Sequence, residues 1–203
     1  MACAPSAVAL KAVFLDLGNV VLELNIQEAF EALGIRDPWK KLSEWNKHHL
    51  YETGKIPTDI FIAETKKYFN LNLEEAEFIL KWNLIVKDVL PGVADVLKAI
   101  RSHVPLYALS NTNALHLEHY KNMKGMEHFN VIFASHLLGY RKPQREIFET
   151  VLSRIGIEPH EALFVDDMPE NVQAAREVGL HAEVCMTSSE QLLKIFERYH
   201  KKT

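Results

Sequence analysis

Short apolar runs rich in β-branched and aromatic residues recur along the chain at 12–16 (AVFLD), 104–109 (VPLYAL), 131–134 (VIFA), 162–166 (ALFVD) and 181–185 (HAEVC). Runs this short that are apolar at consecutive positions predict strands buried on both faces, as in a parallel sheet. Between the later runs the apolar spacing turns helical, over 114–124, 143–155 and 169–178. Alternating strands and helices predict right-handed βαβ crossovers and an α/β fold: a doubly wound, Rossmann-like parallel sheet of five strands. Pro143 and Pro169 suit the first turn of a helix, where the missing N–H costs nothing.

Residues 25–88 break this rhythm. They show helical periodicity without a convincing strand, and Asp37-Pro38, Pro57 and the capping-box pattern Asn72-Leu73-Glu74-Glu75 signal helix starts. The expectation is an inserted all-helical domain of about four helices over 25–88, hinged near Asn25 and Val89. The sheet domain then comprises 1–24 and 89–203. Trp39, Trp45 and Trp82 all fall in the insert with Tyr51, Phe61, Tyr68, Phe69 and Phe78, as a small bundle needs large side chains for its core. Tyr51-Glu52-Thr53-Gly54-Lys55 reads as a polar loop of which one or two residues are directed at a ligand, or, for most of its residues, as an ordinary interhelical turn. A last helix opens at Ser188-Ser189-Glu190-Gln191 and carries Leu192, Leu193, Ile195 and Phe196 on one face.

Two of the apolar runs end in acids, Asp16 and the pair Asp166-Asp167. A carboxylate beside a buried strand is costly unless hydrogen bonds or a cation compensate, so two such clusters suggest one shared cation site. A third run ends in Ser110-Asn111-Thr112, and Lys142-Pro143 precedes a helical pattern. At the switch point of an open α/β sheet the carboxyl ends of neighbouring strands converge on one crevice, which would bring all four features together. Each has a plainer reading alone: the acids as helix caps, Ser110 to Asn113 as an N-cap, Arg141 as a solvated loop residue. His116 and His119, and the adjacent His48-His49, have no convergent partners in the pattern and read as solvated or core residues.

Taken in order, FLDLGNV at 14–20, LSNTN at 109–113, RKP at 141–143 and FVDDMPEN at 164–171 resemble the four motifs of the haloacid dehalogenase-like (HAD) hydrolase superfamily. The DLGNV form is similar to a subgroup that includes bacterial sugar-phosphate phosphatases, and to the phosphatase domain of bifunctional epoxide hydrolases. The helical insert resembles the cap that this family places between motifs one and two. The resemblance implies a magnesium-dependent phosphatase acting on a small phosphorylated metabolite, such as a sugar phosphate. In that reading Asp16 is the nucleophile and forms an aspartyl-phosphate. Asp16, the Gly18 carbonyl, Asp166 and Asp167 hold Mg²⁺, Ser110 and Asn111 hold the phosphate, and Lys142 supplies positive charge. Asn171 orients the metal ligands or their loop. The departure is Gly18, where family phosphatases carry a second Asp that protonates the leaving group. Losing such an acid costs roughly 10² to 10⁴ in rate, so esters with good leaving groups, anomeric sugar phosphates among them, are expected to be favoured.

Composition narrows the field further. With 203 residues, a net charge of −4 and no basic stripe, nucleic acid is not an expected partner. No apolar run reaches membrane-spanning length. Cys3 and Cys185 are the only cysteines, and the first ten residues lack a basic n-region, so a reducing cytoplasm is the expected compartment. Oligomeric state is not encoded in any pattern. Two other functions stay open: a phosphate-binding or regulatory protein with impaired turnover, and a metal-independent 2-haloacid dehalogenase. Two acids beside Asp16 would repel a carboxylate substrate, which argues against the second.

Overall fold

The computed structural model describes residues 10–35 and 45–200. Cys3, Trp39 and the Asp37-Pro38 helix start lie outside the described residues. The strands are Ala12–Leu15 (β1), Leu22–Leu24 (β2), Val86–Val89 (β3), Leu106–Ser110 (β4), Val131–Ala134 (β5), Ala162–Asp166 (β6) and His181–Val184 (β7). Five of them form one parallel sheet in the order β5-β4-β1-β6-β7. The chain leaves β1 for one edge and returns to the other side through β6. β1 is therefore central, and all four of its residues are fully buried.

Side chains alternate across this sheet, so β1 feeds two apolar clusters. Ala12 and Phe14 pack with Phe133, Phe148 and Phe164 on one face. Val13 and Leu15 join a second cluster that continues without a break into Phe30, Phe61, Phe78 and Trp82 of the helical insert. The described helices of the insert are Ile26–Ala32 (α1), Lys47–Glu52 (α2), Thr58–Phe69 (α3) and Glu75–Asn83 (α4). Tyr51 stacks on Phe61 at 4.1 Å between ring centroids, and Phe78 on Trp82 at 5.8 Å. The aromatics concentrate here for the reason the sequence suggested, although Tyr68 is exposed.

Beyond the insert follow Val93–Arg101 (α5), Ala114–Tyr120 (α6), Ser135–Leu138 (α7), Arg145–Ile155 (α8), Pro169–Val178 (α9) and Ser189–His200 (α10). Asn113 caps α6 by accepting the His116 N–H, and Ser188 Oγ accepts the Gln191 N–H at the start of α10. Several local expectations are corrected. β2 and β3 pair antiparallel at the base of the insert, where no strand was expected. At three and four residues (LEL, VKDV) they are too short for alternation to show in sequence. Asn72 makes no capping box, because α4 begins with Glu74 in the N-cap position. Pro143 lies before α8, whose N-cap is Gln144, and the Lys142–Pro143 peptide is cis. In the segment 51–55, Tyr51 and Glu52 close α2 and residues 53–55 form the turn toward α3, the plainer of the two readings, with Tyr51, Glu52 and Thr53 buried.

Gly54 shows why α2 can end here. Its φ of +66° lies in the left-handed region, and a Cβ would stand 2.2 Å from the His136 carbonyl oxygen of α7. Glycine alone allows this approach between the insert and the sheet domain. Gly54→Ala is expected to lower the unfolding free energy by at least about 1–2 kcal/mol, the cost of a left-handed non-glycine residue. Denaturant titration checks this, and an unchanged midpoint would show that the approach is dispensable.

Candidate active site

Three neighbouring strands end together, and each delivers a predicted residue. Asp16 follows β1, Ser110 closes β4, and Asp166 closes β6 with Asp167 next to it. Lys142 arrives from the loop between α7 and α8. Asn111 fixes it there: its side-chain amide donates to the Lys142 carbonyl at 2.9 Å and its Oδ1 accepts the Lys142 N–H at 2.8 Å. The Lys142 ammonium, 1% exposed, then lies 2.8 Å from Asp16 Oδ1 and 2.6 Å from Asp166 Oδ2. It also stands over the Phe164 ring at 5.4 Å, a cation–π contact that suits a desolvated ammonium.

Electrostatics follow from this packing. Burial pushes the Asp16 carboxyl up to about 7, with Asp166 and Asp167 adding to the rise and Lys142 opposing it. Burial also raises Asp167, partly offset by the hydrogen bond from Asn19 Nδ2 at 3.0 Å. For Lys142 burial works downward, but Asp16 and Asp166 outweigh it and its pKa is raised. Carboxylate oxygens of Asp16, Asp166 and Asp167 lie within 4.8 Å of one another, so three acids face a single ammonium. Two formal negative charges are left over when all are ionised. A hard divalent cation with oxygen ligands matches both that deficit and the donor set.

The expected residues do converge, with one redistribution of roles. Asp166 is fully committed: Oδ2 to Lys142, and Oδ1 to the Met168 N–H at 2.8 Å and the Asn171 side chain at 3.0 Å. Asn171 therefore orients Asp166, while Asp16 and Asp167 keep the more open oxygens. Sequence reasoning gave Asn19 no role and misread Arg141, whereas Glu52, in the segment expected to face a ligand, does line the adjoining pocket. Asn19 has φ 55°, tolerable for Asn, and through it reaches Asp167; its place in DLGN was the available signal. Arg141 is no solvated loop residue, since its Nε lies 3.2 Å from Glu52 of α2 and so ties the sheet domain to the insert.

Beside these residues opens a pocket of about 400 Å³. Gly18 lies on its wall, where a Cβ would stand 2.8 Å from Leu24 Cδ1. The space of the missing side chain is thus filled by a flexible leucine tip from β2. His48, His49 and His116 also line the pocket, and none of them joins the acidic cluster. His48 Nε2 is 3.3 Å from Glu52, and His116 stacks on Trp82 with burial pushing its pKa down to about 3.

This constellation belongs to a known class: residues 10–179 match the family model for haloacid dehalogenase-like hydrolases, and the chain is a member of that family. It is 41% identical over 181 residues to a sesquiterpene phosphatase of Aspergillus oryzae, covering 84% of this chain and 87% of that protein. It is 26% identical over 183 residues to the D-ribitol-5-phosphate phosphatase of Bacteroides thetaiotaomicron, covering 84% and 89%. In fold it is similar to a HAD family enzyme of Bacteroides thetaiotaomicron solved with magnesium and inorganic phosphate. That match has a TM-score of 0.75 at 23% identity, over 89% of this chain and 96% of the other. Kinship makes the chain a hydrolase of phosphate monoesters.

Removing the ammonium would leave three acids facing one another. Lys142→Met is expected to lower the unfolding free energy in chelator by about 3–5 kcal/mol, the usual cost of stranding a buried charge, and magnesium should restore part of it. Chemical denaturation with and without the ion checks this; a variant as stable as the parent in chelator would refute the electrostatic role given to Lys142.

Proposed function

We propose that the protein is a magnesium-dependent phosphatase of a small phosphorylated molecule, with Asp16 as nucleophile and the insert acting as a cap over 25–88. The observation that carries this reading is Asp16 itself. It sits at the carboxyl end of the central strand with Oδ1 held by Lys142 and Asp167 beside it. A carboxylate attacks a phosphate ester only where positive charge offsets their repulsion. Asp16, the Gly18 carbonyl and Asp167 are the groups that would hold Mg²⁺, and a bound magnesium would supply that charge and polarise the phosphoryl oxygens.

The protein's own residues divide the remaining work. Asp16 Oδ2 attacks phosphorus, the bond to the ester oxygen breaks, and the alkoxide leaves and takes its proton from solvent water, since Gly18 offers no acid. Water then attacks the phosphorus of the Asp16 acyl-phosphate, giving inorganic phosphate and the free carboxylate. Ser110 and the Asn111 backbone N–H would hold the phosphoryl oxygens, a role supported by their position at the end of β4 next to β1, and the Asn111 side chain fixes Lys142. Asn19 and Asn171 orient Asp167 and Asp166. Named relatives handle esters as unlike as a polyol phosphate and a sesquiterpene phosphate, so kinship supports the reaction and leaves the alcohol to the pocket.

Asp16→Asn is expected to abolish magnesium-dependent phosphate release from p-nitrophenyl phosphate, and chelator to abolish it in the parent; turnover that survives either change removes the proposed chemistry. Gly18 gives a complementary test in the opposite direction. Its φ lies outside the left-handed region and only the Leu24 tip obstructs a side chain. Gly18→Asp, alone or with Leu24→Ala, should therefore raise kcat on an alkyl phosphate, by up to about 10²-fold as a general acid can. It should change p-nitrophenyl phosphate turnover far less, since that leaving group needs no proton. An equal effect on both esters would show that position 18 does not serve the leaving group.

A further inference from the structure

Polar and apolar groups are segregated along the pocket. Ser110, Asn111 and Gly18 belong to its lining, and a Cβ on Gly18 would stand 3.9 Å from Asp16 Oδ2, so these residues mark the phosphate-handling pole. Away from that pole the wall is apolar, built from Leu24, Ile26, Phe30, Trp82, Ile85 and Val86. Even the position beside the nucleophile where an acid would stand presents the Leu24 methyl groups instead. Such a surface contributes binding energy only to a ligand that is itself apolar.

The polar side chains that do reach this wall are largely occupied by one another. Glu52 is held by His48 at 3.3 Å and Arg141 at 3.2 Å, and His49 Nε2 lies 3.4 Å from Arg141 Nη1. His116 uses both ring nitrogens, Nδ1 with the Asn113 side chain at 3.1 Å and Nε2 with the Trp82 carbonyl at 3.3 Å. Three buried atoms of the lining make no well-formed hydrogen bond: Glu52 Oε2, which only ion-pairs with Arg141, Trp82 Nε1, and the Tyr120 hydroxyl beside Ser110 and Thr112. That leaves capacity for about three substrate hydrogen bonds. A polyol or sugar carries more hydroxyls than this, and each one buried unmatched costs free energy.

Resting on the phosphatase reading above, we propose that the substrate is the phosphate monoester of a predominantly apolar alcohol, carrying few further oxygen groups. A volume of about 400 Å³ holds on the order of a dozen groups of the size of a water molecule, about 30 Å³ each. The alcohol is therefore of medium length or a compact ring system, with its phosphate at the Asp16 pole and its hydrocarbon against Phe30, Trp82 and Ile85.

The test compares magnesium-dependent kcat/KM for decyl phosphate below its micelle concentration, ribitol 5-phosphate and glucose 1-phosphate, with p-nitrophenyl phosphate as reference. Each buried methylene is worth about fourfold in binding, so the alkyl ester should exceed both carbohydrate esters by about a hundredfold or more. Ile26→Asn should shrink that ratio by raising KM for the alkyl ester. If p-nitrophenyl phosphate is turned over but a carbohydrate phosphate equals or beats the alkyl ester, the substrate class is overturned and the phosphatase reading stands. If no ester is turned over, the phosphatase reading falls. Calorimetric titration of Asp16→Asn with magnesium then decides the class: tenfold tighter binding of decyl phosphate supports it, and equal or weaker binding overturns it.

Discussion

Everything in this protein's site depends on burying one ammonium between two carboxylates. Lys142 reaches Asp16 and Asp166 from a loop remote in sequence, at 2.8 and 2.6 Å, in a position almost without solvent. An uncompensated charge there would cost several kcal/mol, so the two strands that carry the acids, and β4, whose end holds the Lys142 loop through Asn111, must end at the same height. Parallel pairing of β1 with β4 and β6 enforces that alignment. The same contact leaves a third acid, Asp167, without a protein cation. Fold stability and demand for a metal thus arise from one arrangement of charge.

The central strands and the acids were legible in the sequence because both signals are local. A strand buried on both faces shows as an unbroken apolar run, and an acid closing it is conspicuous. The antiparallel ribbon β2–β3 was not legible: each strand is a few residues long, and its partner lies some sixty positions away. Nor was the pocket, whose walls come from β2, α1, α2, α4 and α6. His48 looks like an ordinary helix residue until Gly54, just past the end of α2, lets that helix pack against α7. Arg141 was misjudged for the same reason, since its partner is supplied by tertiary contact.

Gly18 links the chemistry to the substrate. Lacking a side chain there, the wall beside the nucleophile is closed by Leu24, and the polar groups farther along are paired with one another. A site built this way gives up proton donation at that position and gains hydrocarbon surface. The balance suits an ester whose affinity comes from its carbon skeleton, and binding energy from that skeleton can serve to position phosphorus against Asp16.

The central claim is that phosphoryl transfer passes through Asp16. Acid quenching during turnover of p-nitrophenyl phosphate with magnesium, followed by proteolysis and mass spectrometry, addresses it most directly, because acyl-phosphates survive acid. The expected result is a single phosphoryl group on the peptide carrying Asp16, absent when magnesium is withheld. Turnover with no phosphorylated peptide, or with the phosphoryl group on another residue, would contradict it.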